Sequence, residues 1–334
     1  MKRILIIRFS SIGDIVLTSP VIRAIKLQVK DAEIHYLTKK QYAPLLESNT
    51  YIDKLILLDG SLNMTLKMVK QNQYDFVVDL HHNLRTFIIK KILGRPSATY
   101  PKLNIKKWIY VHLKIDRLPV MHLVDRYFMA VKSLGVYKDD LGLDYFIPNE
   151  TSLDSAFPNN LPERFIAYAI GAKFATKRMP EEKISILCSE LSIPVILIGG
   201  KEDNERGDWI ANHSENEVIN ACGELSLNQS ASVIQRAAVL ITHDTGMMHI
   251  GTALGKKLIV IWGNTVPAFG MYPYSISAGK NQLVMFENQD LSCRPCSKLG
   301  HQSCPKRHFF CMQFHNESEI AATSTQLLNS DIIH

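Results

Sequence analysis

The stretch RILIIRF, Arg3 to Phe9, is too short to cross a bilayer and too apolar for a surface, and an amphipathic run rather than a hairpin turn follows it. The same unit returns as EIHYLT, KLILLD and YDFVVDL, each parted from the next by helix-like sequence. Short β-branched runs alternating with amphipathic segments predict βαβ units: parallel strands covered by helices on both faces and joined by right-handed crossovers.

The rhythm stops at PNETSLDSAFPNNLPER, Pro148 to Arg164, where Pro, Asn and Ser cluster and no apolar period survives. It restarts with RFIAYAIG, IPVILIGG, AAVLITHD and KKLIVIWG. The pattern predicts an α/β protein of two Rossmann-like domains, residues 1–150 and 151–315, with parallel sheets facing across a cleft. A last helical segment, residues 316–334, is expected to pack across the pair. A chain of 334 residues, 46% hydrophobic and 21% charged, is long and apolar enough for two cores.

Lys and Arg number 38 against 32 Asp and Glu, a net charge of +6 that favours an anionic partner such as a nucleotide, a phosphorylated lipid or a membrane surface. The amino-terminal MKRILIIRFSSIGD is charge-interrupted and lacks a small-residue cleavage site, so no export signal is read and a cytoplasmic location is expected. No apolar run reaches the roughly 20 residues of a membrane span, so membrane contact is expected to be peripheral.

Ligands of open parallel sheets bind beyond the carboxyl ends of the strands, and that rule selects four stretches. In RFSSIGDIV, Gly13 permits close approach and Asp14 begins a helix, where it serves either as a general base or, with Ser11, as one half of a capping box. IGAKFATKRMP offers Lys173, Thr176 and Lys177 before a proline that opens a helix, a set suited to a diphosphate. In LIGGKEDNERG, Glu202 or Asp203 can accept both hydroxyls of a ribose or cap the next helix. In THDTGMMHIG, Thr245 and Gly246 leave helix amides free for an anion, Asp244 suits sugar hydroxyls, and His249 lies within reach of a ligand. His243 has no role in that scheme and is the candidate for setting which ligand is chosen. In the first half, NLRTFIIKKILGR and PKLNIKKW carry Arg85, Lys90 and Lys91 among other cations, a face for an anionic partner or a solvated helix.

Taken in order, MKRILIIRFSSIGDIVLTSPVIRAIK, VVDLHHNLRT and ITHDTGMMHIGTALGKKLIVIWGNT resemble the heptosyltransferases of glycosyltransferase family nine, over most of the chain. The resemblance implies a GT-B fold, with the acceptor bound by the first domain and the donor mainly by the second. It implies inverting transfer, typically from ADP-heptose to the lipopolysaccharide inner core, without a catalytic metal or other cofactor. Asp14 is then the general base, with Ser11, Gly13, Arg85, Lys90 and Lys91 on the acceptor side. Lys173, Thr176, Lys177, Glu202, Asp244, Thr245, Gly246 and His249 fall on the donor side. The implied partners are a nucleotide-sugar and an anionic glycolipid at the inner membrane, and nucleic acid is not among them.

Cys293, Cys296, Cys304 and Cys311 crowd together, the first two at zinc-knuckle spacing. They are expected to form a structural clasp, by zinc or disulfide. Two readings of other classes remain open from sequence: a nucleotide-sugar epimerase of the same architecture, and a non-catalytic nucleotide-sugar or glycolipid binding protein in which Asp14 only caps a helix.

Overall fold

Buried strands need apolar side chains on both faces, and Ile4 to Ile7 are fully buried. They lie in β1 (Lys2–Ile7) of a parallel sheet that also contains β2 (Ala32–Lys39), β3 (Lys54–Leu58), β4 (Phe76–Asp79) and β5 (Ser97–Thr99). The computed structural model describes residues 2–58, 62–157, 160–274 and 282–330. The strand order is β3-β2-β1-β4-β5. Helices α1 (Ile12–Val16), α2 (Ser19–Gln28), α3 (Leu62–Gln71) and α4 (Leu84–Leu93) make the connections. Leu5, Ile7 and Phe9 share a core with Val69, Val77 and Ile89.

Helices α5 (Asn104–Leu113) and α6 (Leu123–Phe128) follow, and then the second sheet. Its strands are β6 (Ile166–Ala169), β7 (Val195–Ile198), β8 (Val218–Asn220), β9 (Val239–His243), β10 (Leu258–Trp262) and β11 (Leu283–Glu287). They are parallel, in the order β11-β10-β9-β6-β7-β8. Helices α7 (Glu181–Glu190), α8 (Asn204–Asn212), α9 (Leu227–Arg236) and α10 (Gly246–Ala253) connect them, and α11 (Phe310–Gln313) and α12 (Glu317–Asn329) close the sequence of elements. From α12, Ile320, Leu327 and Leu328 join the core that holds Leu187 and Ile241. Residues 158–159 of the expected boundary and 331–334 of the expected final segment lie outside the described residues.

The chain divides into two compact units, and the division is not a single cut. Residues up to Leu103 together with Val120–Pro148 form the first unit, and Asn104–Pro119 joins the chain from Asn149 onward in the second. The cause is apolar: Val111 of α5 is buried with Val266 and Phe269, and Tyr110 meets Phe269 edge-on at 6.0 Å between ring centres. Strands β5 and β8 carry no strong apolar run, and ladder pairing to β4 and β7 makes them strands.

Strand order reverses between β1 and β4 in the first sheet and between β6 and β9 in the second. Loops leaving neighbouring strands in opposite directions open a crevice at such a point. The stretches after these four strands are therefore where each unit is built to hold a ligand.

Candidate active site

After β1, Arg8 is 6% exposed and each nitrogen of its guanidinium has a partner. Nε donates to the Ser10 carbonyl at 2.7 Å, Nη1 to the Leu80 carbonyl at 2.5 Å, and Nη2 meets Asp14 Oδ1 at 2.6 Å. The other carboxylate oxygen, Oδ2, accepts from the Ser11 hydroxyl at 2.7 Å and the Ser11 amide at 3.2 Å. Asp14 is thus both things the sequence allowed it to be: it caps α1, and it is a carboxylate locked in place with its side chain 18% accessible. Burial disfavours the Arg8 charge, yet Asp14 and the rings of Tyr127 and Tyr100 hold its pKa above the ordinary arginine value. Gly13 is buried in the first turn of α1.

After β4, Asp79 is fully buried and turns the chain, its Oδ1 accepting from the amides of His81 at 3.0 Å and His82 at 2.7 Å. Lys90 of α4 pairs with Asp79 Oδ2 at 2.8 Å and donates to Thr99 at 2.6 Å. Lys90, expected on the acceptor side, is therefore part of the turn's support; Arg85 and Lys91 are exposed on α4. The His81 ring packs on Phe9 at 4.9 Å, and burial, with Arg8 and Lys102 nearby, lowers its pKa to about 4, so it is neutral at pH 7. Lys102 donates to the carbonyls of His81 and His82 at 3.1 Å each.

In the second unit the loop after β6 meets the turn after β9. Lys177 Nζ contacts Asp244 Oδ2 at 2.5 Å and the Asp244 carbonyl at 3.1 Å, and Thr265 donates to the same Oδ2 at 2.7 Å. Burial alone would raise the Asp244 pKa; Lys177 and the Thr265 hydroxyl outweigh it and hold the carboxyl below its ordinary range. Lys177 and Asp244, expected to serve phosphate and hydroxyls separately, are here one pair. Thr245 and Gly246 are half-buried at the start of α10, and Thr245 makes no side-chain cap, so the first-turn amides are not closed by it. His249 is buried on α10.

Thr176 differs from its expected role. It is buried, its hydroxyl lies 3.0 Å from Asn264 Oδ1, and it accepts from the His301 amide at 2.8 Å, so it anchors the loop. Lys173 is exposed beside the Phe174 ring at 5.7 Å, and Glu202 is exposed. Its neighbour Asp203 is the buried acid, accepting from the Gly200 amide at 3.0 Å and lying 3.4 Å from Arg178. His243 is fully buried and accepts the Met179 amide at 3.1 Å; burial, with Arg206 and His315, lowers its pKa to about 3. Arg206 donates to the carbonyls of Ile170 and Met179. His243 and Arg206 together fix both ends of the loop from below, which corrects the expectation that His243 selects the donor.

The cysteine clasp is also corrected. Among the described residues no group of His, Cys, Asp or Glu is placed to hold a metal ion, and all six cysteines are free thiols. Burial raises the pKa of Cys311 to about 12 and of Cys296 to about 11, so both keep their protons, and Cys296 Sγ donates to the Cys293 carbonyl at 3.2 Å. Arg294 ties this segment down, donating to the carbonyls of Gly263, Asn288 and Thr265 at 2.6, 2.6 and 2.7 Å.

Sequence reasoning did not single out Arg8, Asp79, Arg206 or Thr265 as site residues. The available signal was a charged residue interrupting or closing a buried strand, as Arg8 does after Ile7 and Asp79 at the end of β4.

Two parallel Rossmann-like sheets, each with polar groups gathered at its switch point, are the architecture of the GT-B fold. The solved structure of a family 9 glycosyltransferase from Veillonella parvula DSM 2008 is similar over 98% of both chains, with a TM-score of 0.81 and 22% identity. That of E. coli ADP-heptose lps heptosyltransferase II is similar over 99% of this chain and 100% of its own, with a TM-score of 0.74 and 18% identity. Lipopolysaccharide heptosyltransferase 1 of Campylobacter coli is 25% identical over 292 residues, 79% of this chain and 84% of that one. Residues 64–303 match the model of glycosyltransferase family 9 (heptosyltransferase), and the chain belongs to that family.

Proposed function

We propose that this glycosyltransferase moves a heptose from ADP-heptose to an acceptor in the lipopolysaccharide inner core, with inversion at the anomeric carbon. Relatives named as lipopolysaccharide heptosyltransferases from Campylobacter coli and E. coli support the sugar and the acceptor class. Family membership favours a transferase over the epimerase and the non-catalytic binder.

One observation carries the chemical reading: a carboxylate fixed on both oxygens at the first switch point, by Arg8 on Oδ1 and Ser11 on Oδ2. Asp14 is the general base. An acceptor hydroxyl hydrogen-bonded to it loses its proton as the oxygen attacks the anomeric carbon from the face opposite the diphosphate. Arg8 and Ser11 hold one carboxylate oxygen each, and fixing the carboxylate beforehand removes the cost of orienting it during reaction. Gly13 gives the acceptor room, and Arg85 and Lys91 take its phosphates or carboxylates.

On the donor side an ammonium has three N–H donors, and Asp244 takes two of those on Lys177. The third, together with Lys173 and the first amides of α10 at Gly246, meets the diphosphate and stabilises it as it departs. Asp244, kept ionised by its neighbours, accepts from sugar hydroxyls, and Glu202 takes the ribose. These groups supply the charge compensation without a metal. The acceptor places the reaction at the cytoplasmic face of the inner membrane, and no helix among the described residues is long and apolar enough to cross it.

The test is a pair of measurements on Asp14→Asn. Transfer from ADP-heptose falls by about a thousandfold or more, while the thermal shift on adding ADP-heptose stays as in the wild type. Full transfer by the variant ends the general-base assignment. A screen in which UDP- or GDP-sugars stabilise the protein and ADP-heptose does not ends the donor assignment.

A further inference from the structure

Helix α5 wears its sequence inside out. Ile105 is 78% exposed and Trp108 is 55% exposed, whereas Lys107 is only 7% exposed. Residues 105, 108 and 112 share one helix face, at spacings of three and seven, and residues 107 and 111 share the opposite one. The inward face is well anchored: Val111 packs on Val266 and Phe269, and the Lys107 ammonium sits over the Phe269 ring at 5.1 Å from its centre. Lys114 fastens the end of the helix by donating to the carbonyls of Cys293 and Pro295 at 2.9 and 2.8 Å.

The outward face is therefore held outward. Trp108 and His112 stack at 4.6 Å, which stiffens the pair, and Leu113 and Ile115 continue the exposed apolar strip beyond them. Lys106, Lys114 and Arg117 fringe the strip, and Asp116 is the one acid between Pro101 and Val120.

We propose that this face of α5 is a docking surface for an anionic lipid bilayer. The helix lies in the interface plane with Ile105, Trp108 and Leu113 among the upper acyl chains and Lys106 and Arg117 at the headgroup phosphates. The chemistry selects a bilayer over a protein. Trp settles where one edge of the ring is apolar and the other wet, aliphatic side chains beside it gain burial, and a basic fringe meets an anionic plane. A second copy of the chain is disfavoured, because an isologous contact would set the basic fringe of one copy against the basic fringe of the other. A single helix about 15 Å long also offers less surface than a stable dimer uses. The proposal rests on the glycolipid reading only for its purpose, since a membrane-borne acceptor is what makes such a surface useful. It further assigns membrane contact to the unit that contains β6 to β11, where sequence order alone would give it to the first.

The experiment is co-sedimentation of the full chain with phosphatidylcholine vesicles, with and without phosphatidylglycerol, for the wild type and the double variant Ile105→Ser, Trp108→Ser. The wild type partitions onto the anionic vesicles about tenfold or more above the neutral ones, and the variant loses about tenfold of that binding. Its melting temperature, its monomeric elution and its transfer to a water-soluble, delipidated acceptor stay unchanged. Tryptophan emission of the wild type shifts to the blue on anionic vesicles, and that of Trp108→Phe does not. Equal partition of wild type and variant, or equal partition onto neutral vesicles, overturns the proposal. So does a wild-type dimer that the variant splits, which would make the face a contact between copies. If no transfer to a core acceptor is found while the variant still loses vesicle binding, the docking surface stands and the acceptor reading falls.

Discussion

Arg8 and Asp14 are six residues apart in sequence and share one job. Replacing Arg8 by Met leaves a carboxylate without its cation and frees the carbonyls of Ser10 and Leu80. Breaking one side of a largely buried pair costs about 3–5 kcal/mol. Urea unfolding should show a loss of that order, and transfer should fall by about a hundredfold or more even at temperatures where the variant is folded. Unchanged stability would mean that the pair contributes nothing beyond local geometry. Asp14 was legible in the sequence because SSIGD has the spacing of a helix start. Arg8 was not, because an arginine closing an aliphatic run reads as a strand end reaching solvent. Only the fold shows that β4 and the ring of Tyr127 close over it. Lys90 and Thr176 went the other way, since residue type and loop position do not say which way a side chain turns; the one turns to Asp79 and the other to Asn264.

At the level of elements, the loop between β6 and α7 is shaped by what lies beneath and beside it. A Cβ added at Gly263 would come within 2.4 Å of the Thr176 carbonyl, so the strand-end turn after β10 and this loop touch backbone to backbone. Gly263→Ala must push the loop away, and a weakening of ADP-heptose binding by about tenfold, read by calorimetry, is expected where a well-placed loop is displaced by a fraction of an ångström. Binding as tight as wild type would show that the loop's position is not what holds the donor. His243 acts on the same loop through the Met179 amide. His243→Gln should therefore change stability and leave the preference among ADP-, UDP- and GDP-sugars as it was; a switched preference in thermal shift would restore the donor-choosing role that the sequence proposed. The strands β1, β4, β6 and β9 were all readable from short apolar runs, and so was the rule that their ends matter. Which of the strand ends are the switch points was not readable, because strand order depends on pairing between distant segments.

The whole molecule carries several histidines that fold neutral. His243 has a pKa of about 3, His81 of about 4, and His315 below its ordinary value, all chiefly through burial. Between these values and the unfolded value of about 6.5, the unfolded chain binds more protons than the folded one, so stability rises with pH across the window. The contribution is complete above about pH 6.5 and is lost as pH falls towards 4 and then 3, at up to about 1.4 kcal/mol per pH unit for each group. Calorimetry should show a lower melting temperature at pH 5 than at pH 7.5, with a smaller drop in His243→Gln; identical temperatures would refute the account. Two Rossmann-like sheets were legible from the rhythm of apolar runs. The detour of Asn104–Pro119 was not, because what recruits it is a small apolar patch at Val266 and Phe269, more than 140 residues further along the chain. That detour has a practical corollary for building hybrid enzymes. Joining the front of one relative to the back of another at a single splice near residue 150 would leave Val266 and Phe269 of the back half covered by a foreign α5, with their own helix left behind. A hybrid that keeps its second half soluble must carry α5 along with it, as a second transplanted insert.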